Sequence, residues 1–180
     1  MSEHVRPSAL LDAYLSPAAR DALPAGGRAR LIAQEALRIR WHQLFDRVPA
    51  LTARLGDTVR VYDAFLEWAD AGDRVLDWRM HLHFLDHLTE REVPLDEADH
   101  TELLAAAAAR WFAASGYGER GLALTSSLLA PKVVVGVKGA GPLDRARVKL
   151  ARVPGLEPEQ GVRWCLSPRG DFGEFVWRTG

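Results

Sequence analysis

The chain has 180 residues, 48% of them hydrophobic and 26% charged, with a formal net charge of −1. That is enough apolar material to bury the core of one ordinary soluble domain, and the near-neutral balance argues against a general nucleic-acid binder. Cys165 is the only cysteine, which excludes an internal disulfide and a thiolate zinc cluster and points to a reducing cytoplasm; no segment reaches the roughly 18 apolar residues of a membrane span.

The first half reads as helices. Ser8 caps a predicted helix to about Leu23, with Leu10, Leu11, Tyr14 and Leu15 at helical spacing, and Pro24-Ala-Gly-Gly27 makes a loop. The strongest helical period runs from Arg28 to Asp46 through Leu31, Ile32, Leu37, Ile39, Trp41, Leu44 and Phe45. Pro49 stops or restarts it, and a short helix over 50–55 ends at Gly56. Asp57 caps the next helix, to about Asp70, through Val61, Phe65 and Trp68. After Ala71-Gly72-Asp73, another helix carries Val75, Leu76, Trp78, Leu82, Leu85 and Leu88. Asp96 or Asp99 caps a long Ala-rich helix to Ala114, with Gly116 as its C-cap. Residues 117–129 read half as loop and half as helix.

Beyond them the period changes. Strands are predicted at 132–138, 147–153, 161–166 and 174–178, divided by Gly and Pro turns, and their short connections suggest an antiparallel meander. The charge divides at the same seam. Residues 120–180 carry ten Lys/Arg and five acids, a net of +5, so residues 1–119 carry −6. The predicted fold class is α+β: a helical domain over 1–119, suited to docking a partner, and a small β-rich peptide-recognition domain over 120–180.

Several residues suggest chemistry. His83 and His87 lie one helical turn apart, a metal-ligand spacing, with His81 and Asp86 nearby. A third ligand would have to come from another helix, such as His42 or His100, and Met80, Leu82, Phe84, Leu85 and Leu88 around them favour an ordinary amphipathic helix. No metal site and no cofactor are therefore expected in this chain. Asp63, Glu67 and Asp70 at helical steps resemble paired carboxylates, but a solvated helix face explains them equally well. The glycine-dense stretch 136–141 lacks a following helix and reads as a hairpin turn, not a phosphate loop. No catalytic residues are assigned.

Binding features are better developed. In Arg147-Val-Lys-Leu-Ala-Arg-Val153, basic residues alternate with apolar ones, so Arg147, Lys149 and Arg152 are expected on an outer face while Val148, Leu150 and Val153 pack. Such a strand edge can capture an extended, acidic peptide by strand addition. Of six tryptophans, Trp164 and Trp177 fall in the small sheet and are candidate peptide contacts; Trp68 and Trp78 are candidate docking residues on an exposed apolar patch.

The stretches Leu44-Phe-Asp-Arg-Val-Pro-Ala-Leu-Thr-Ala-Arg-Leu-Gly56 and Val75-Leu-Asp-Trp-Arg-Met-His-Leu-His-Phe-Leu-Asp-His-Leu88 carry a family resemblance. They resemble the helical domain of partner proteins that accompany multinuclear iron-dependent oxidases in peptide natural-product pathways, such as the methanobactin and 3-thiaglutamate pathways. In that family a Phe-Pro-type step leads to a Leu-Gly turn; here Asp46-Arg47-Val48 stands between Phe45 and Pro49. The resemblance implies a noncatalytic subunit that holds a ribosomal precursor peptide while a partner oxidase, which carries the iron, modifies it. The alternatives are a regulatory or inhibitory binding protein that uses the basic sheet, and a small metal-dependent enzyme that uses His83 and His87. Neither a membrane nor nucleic acid is an expected partner.

Overall fold

The computed structural model describes residues 22–55, 65, 68, 77–114, 118–139, 147–172 and 175–179. The helix expected from Ser8, most of the helix expected from Asp57, and Asp63, Glu67, Asp70 and Gly116 lie outside the described residues. The chain forms two compact units, Met1–Arg74 and Val75–Gly180.

In the first unit, α1 (Arg28–Phe45) starts after Gly27, whose extended backbone supplies the N-cap. α2 (Pro49–Leu55) begins on Pro49, where a missing N–H costs no helical hydrogen bond, so the proline restarts the helix. Phe65 and Trp68 are also helical. Leu44, Phe45, Val48, Leu51, Phe65 and Trp68 are buried, and Phe65 meets Trp41 edge-on with ring centroids 5.5 Å apart.

The second unit holds α3 (Met80–Glu90) and α4 (Glu97–Ala113). α3 starts later than the apolar spacing suggests. The Asp77 carboxylate accepts the Arg79 N–H at 2.7 Å and folds 77–79 into a turn ahead of the helix. Asp96 is the N-cap of α4. Its carboxylate accepts the Asp99 N–H at 2.9 Å, and the Asp99 carboxylate accepts the Asp96 N–H at 2.8 Å, a reciprocal capping box.

Among the described residues five antiparallel strands follow: β1 (Gly121–Ser126), β2 (Lys132–Val137), β3 (Arg147–Arg152), β4 (Val162–Ser167) and β5 (Arg178–Thr179), in the spatial order β3-β2-β1-β4-β5. The α+β class holds. The connectivity corrects the simple meander, because the chain crosses from β3 at one edge to β4 beside β1. The half-loop, half-helix reading of 117–129 is also corrected: Gly121–Ser126 is the central strand. All six of its residues are buried, so it lacks the polar–apolar alternation that marks a half-exposed strand. Of the strand expected over 174–178, residues 175–177 lie outside any strand, Arg178 opens the short β5, and Glu174 lies outside the described residues.

Successive residues of a strand face opposite sides of the sheet. Leu122, Leu124, Val134 and Trp164 face the helices: Ser126 meets His100 of α4, and Trp164 packs edge-on against Trp78 at 5.5 Å. Ala123, Val133, Val135, Arg163 and Cys165 face the other way and are buried too. There Phe172, Phe175 and Trp177 form a stacked row, with centroids 5.5 and 5.1 Å apart, and the Arg163 guanidinium lies 5.6 Å from the Trp177 ring. Gly121 lets this layer approach: a Cβ there would sit 2.8 Å from the Phe172 ring and 2.9 Å from Gly170 Cα. The compact unit Val75–Gly180 takes in α3 and α4 together with the sheet, and both helices pack on its strands.

Candidate functional site

β3 is an edge strand, paired with β2 and with no other described strand. β1, β2 and β4 are almost wholly buried, whereas every residue of β3 is exposed except the half-buried Ala151. Arg147, Lys149 and Arg152 therefore lie at an accessible edge, but they do not share a face. The register sets Arg147 opposite Val137 and Lys149 opposite Val135, while Arg152 lies opposite Lys132, in line with Val148 and Leu150. Ala151 breaks the basic–apolar alternation, so period two carries Arg152 to the opposite side from the other two cations.

The side that Val148, Leu150 and Arg152 share is the helix side. Val148 pairs with Gly136, whose missing Cβ would lie 3.2 Å from the Phe112 ring of α4, and Arg152 pairs with Lys132, which is ion-paired to Glu97 of α4. The expectation that Val148 and Leu150 pack is also corrected: they are 41% and 48% exposed. α4 reaches β3 without covering it, so two apolar side chains stand open beside the basic ones.

The backbone phase of β3 follows from two hydrogen bonds. The Val153 N–H donates to the Pro131 carbonyl at 2.9 Å, and the Lys138 N–H donates to the Arg120 carbonyl at 2.7 Å. Antiparallel pairs alternate between hydrogen-bonded and non-hydrogen-bonded. Counting from either bond, the pairs of Arg147, Lys149 and Ala151 with β2 are hydrogen-bonded. Val148, Leu150 and Arg152 consequently turn their N–H and C=O groups toward the open edge.

The four tryptophans singled out from the sequence fare differently. Trp68 and Trp78 are 1% and 3% exposed, so neither forms an exposed docking patch: Trp68 packs near Phe65, and Trp78 packs on Trp164. Trp164, 8% exposed, is a core residue with Arg178 over its ring and not an open peptide contact. Trp177 is half-buried in the aromatic row. Among the described residues of the first unit, Leu31, Ile32 and Ile39 of α1 are large apolar groups left exposed.

His81 and His87 are buried, and His87 stacks on Phe84 with centroids 6.5 Å apart, as expected for an amphipathic helix. Among the described residues no group of three His, Cys, Asp or Glu side chains could hold a metal ion. Nor is any described helix long and apolar enough to cross a membrane. At the other end of the sheet, a cavity of about 410 Å³ is lined by Asp86, Glu90, Gln160 and Thr179, among others. It brings together carboxylates, an amide and a hydroxyl, but none of the histidines.

Burial pushes the His100 imidazole below its ordinary pKa against the opposing pull of Asp99 and Asp96, and its Nδ1 shares a 2.7 Å hydrogen bond with Ser126 Oγ. Ser126 is 1% exposed, so this pair joins α4 to β1 as a structural contact. Burial likewise pushes the Cys165 thiol up, away from the thiolate a nucleophile needs. Neither His100 nor Cys165 is thus an accessible reactive group, whereas the β3 edge presents polar backbone groups, cations and apolar side chains together on an exposed strand.

No curated protein matches the chain. Residues 20–178 match the family model of methanobactin biosynthesis cassette proteins described as MbnC-like, a match that spans both compact units, and the chain belongs to that family.

Proposed function

We propose that this chain is a noncatalytic partner subunit that binds a ribosomal precursor peptide along β3 and presents it to an iron-dependent oxidase. Membership of the MbnC-like family gives it a role in methanobactin-type peptide biosynthesis. The observation that carries the finer reading is the β3 edge, exposed, basic and unpaired on its outer side among the described strands. An extended peptide can hydrogen-bond to such an edge whatever its side chains, and Arg147, Lys149 and Arg152 add attraction for acidic residues. The iron is assigned to the oxidase. Docking to it is assigned to the helical N-terminal part, where α1 leaves Leu31, Ile32 and Ile39 exposed.

The decisive experiment is fluorescence anisotropy with the labelled precursor peptide of the same cassette, using wild type and Val148→Pro. Proline at 148 removes an N–H that faces the open edge, not one that bonds β2, so the sheet keeps its internal ladder. The variant is expected to melt near wild type and to lose precursor binding by roughly tenfold or more, the effect of about one to two lost hydrogen bonds. Unchanged affinity in a folded Val148→Pro chain would refute capture at this edge.

A further inference from the structure

We infer that β3 selects a peptide segment in which apolar and acidic residues alternate, with the apolar side chains laid on the α4 side of the sheet. This rests on the peptide-capture reading and adds to it the sequence pattern of the bound segment. Three observations meet here. The outward backbone groups belong to Val148, Leu150 and Arg152, so an added strand forms its hydrogen-bonded pairs with those residues. Val148 and Leu150 are 41% and 48% exposed on the side of the sheet that carries α4, and Gly136, the partner of Val148, lies against Phe112 of that helix. Arg147 and Lys149 project from the opposite side.

Side chains directly opposite one another across a strand pair share a face. Peptide residues opposite Val148 and Leu150 therefore point to the helix side, where only an apolar group removes those side chains from water without leaving a polar atom unpaired. Residues opposite Arg147 and Lys149 point to the other side and meet a cation. In antiparallel addition these are the closer, non-hydrogen-bonded pairs, with Cα atoms about 4.5 Å apart. Alternation is required whichever way the peptide runs, because strand side chains alternate in both directions. A segment of uniform charge, however acidic, would set half its carboxylates against Val148 and Leu150.

Two synthetic probes separate this inference from generic attraction. One is a capped octapeptide alternating Val and Glu. The other is its block isomer, with the Val residues first and the Glu residues after, which has equal charge and composition. Titrated into the full chain, the alternating peptide is expected to bind roughly tenfold tighter, since a few matched cross-strand pairs together reach about that ratio. Leu150→Ser, at an exposed position that keeps the fold, should narrow the preference. Lys149→Glu should move it toward an alternating Val/Lys peptide. Equal affinity for the two isomers, or binding of neither, overturns the inference. If precursor binding is nonetheless lost in Val148→Pro, peptide capture stands and only the alternation fails. If precursor binding survives that substitution, the capture reading itself is wrong.

Discussion

His100 shows how one buried side chain ties stability to pH. It is 6% exposed and bonded to Ser126, and desolvation holds its folded pKa below the unfolded value. Above the usual imidazole range near 6.5, both states are neutral and the contact is fully available. As pH falls from there toward the folded pKa, the unfolded chain takes up a proton that the folded chain resists, so stability is lost on acidification. Wild type is expected to show a lower Tm at mildly acidic pH than at neutral pH, with a shallower drop in His100→Gln; equal slopes would remove His100 as the cause. Trp78 belongs to the same scale. Packed edge-on to Trp164 and 3% exposed, it should cost about 3–5 kcal/mol of stability when changed to Ala, measurable by urea unfolding. A docking residue would instead lose partner affinity with stability unchanged. Gly121→Ala should also destabilise, by about 1–3 kcal/mol, because the added Cβ meets the backbone at Gly170 and not merely a side chain that can move.

At the scale of elements, β3 differs from its neighbours in burial, not in composition alone. Its cations were legible as a basic strand, but their distribution between faces was not. The run from Arg147 to Arg152 contains Ala151, and that small residue shifts the phase so that Arg152 falls beside Leu150. Replacing Arg147 and Lys149 by Gln is expected to weaken precursor binding and flatten its salt dependence, since exposed charges are screened over roughly 8–10 Å near physiological ionic strength. Arg152→Gln should have the smaller effect, because that cation lies on the apolar side. Anisotropy titrations across a salt series check this, and equal effects of all three changes would contradict the assigned faces. The central strand was hidden for the opposite reason. Gly121–Ser126 is buried on both sides and carries Gly, Ala and Ser, which lack the β-branched signal of Val133–Val135.

For the whole molecule, the compact units place α3, α4 and all five strands together in Val75–Gly180. That fragment is expected to fold with a cooperative melt and to retain peptide binding while losing oxidase binding; a molten fragment, by circular dichroism and thermal unfolding, would show that the units depend on each other. The sequence by itself determined the helical character of the described part of the first half, the strand-rich end, a cap for α4 at Asp96 or Asp99, the charge contrast and a family resemblance now matched over residues 20–178. These are local or compositional properties: period, capping chemistry and residue type act within a few positions along the chain. Only the tertiary structure decided that β3 is an edge, that Val148 and Leu150 stay open, and that Trp68, Trp78 and Trp164 are core. Each depends on which distant segment covers a surface. Tryptophan is equally suited to a core and to an interface, and an apolar strand residue packs or projects according to its neighbours, so burial belongs to the assembled fold rather than to the residue.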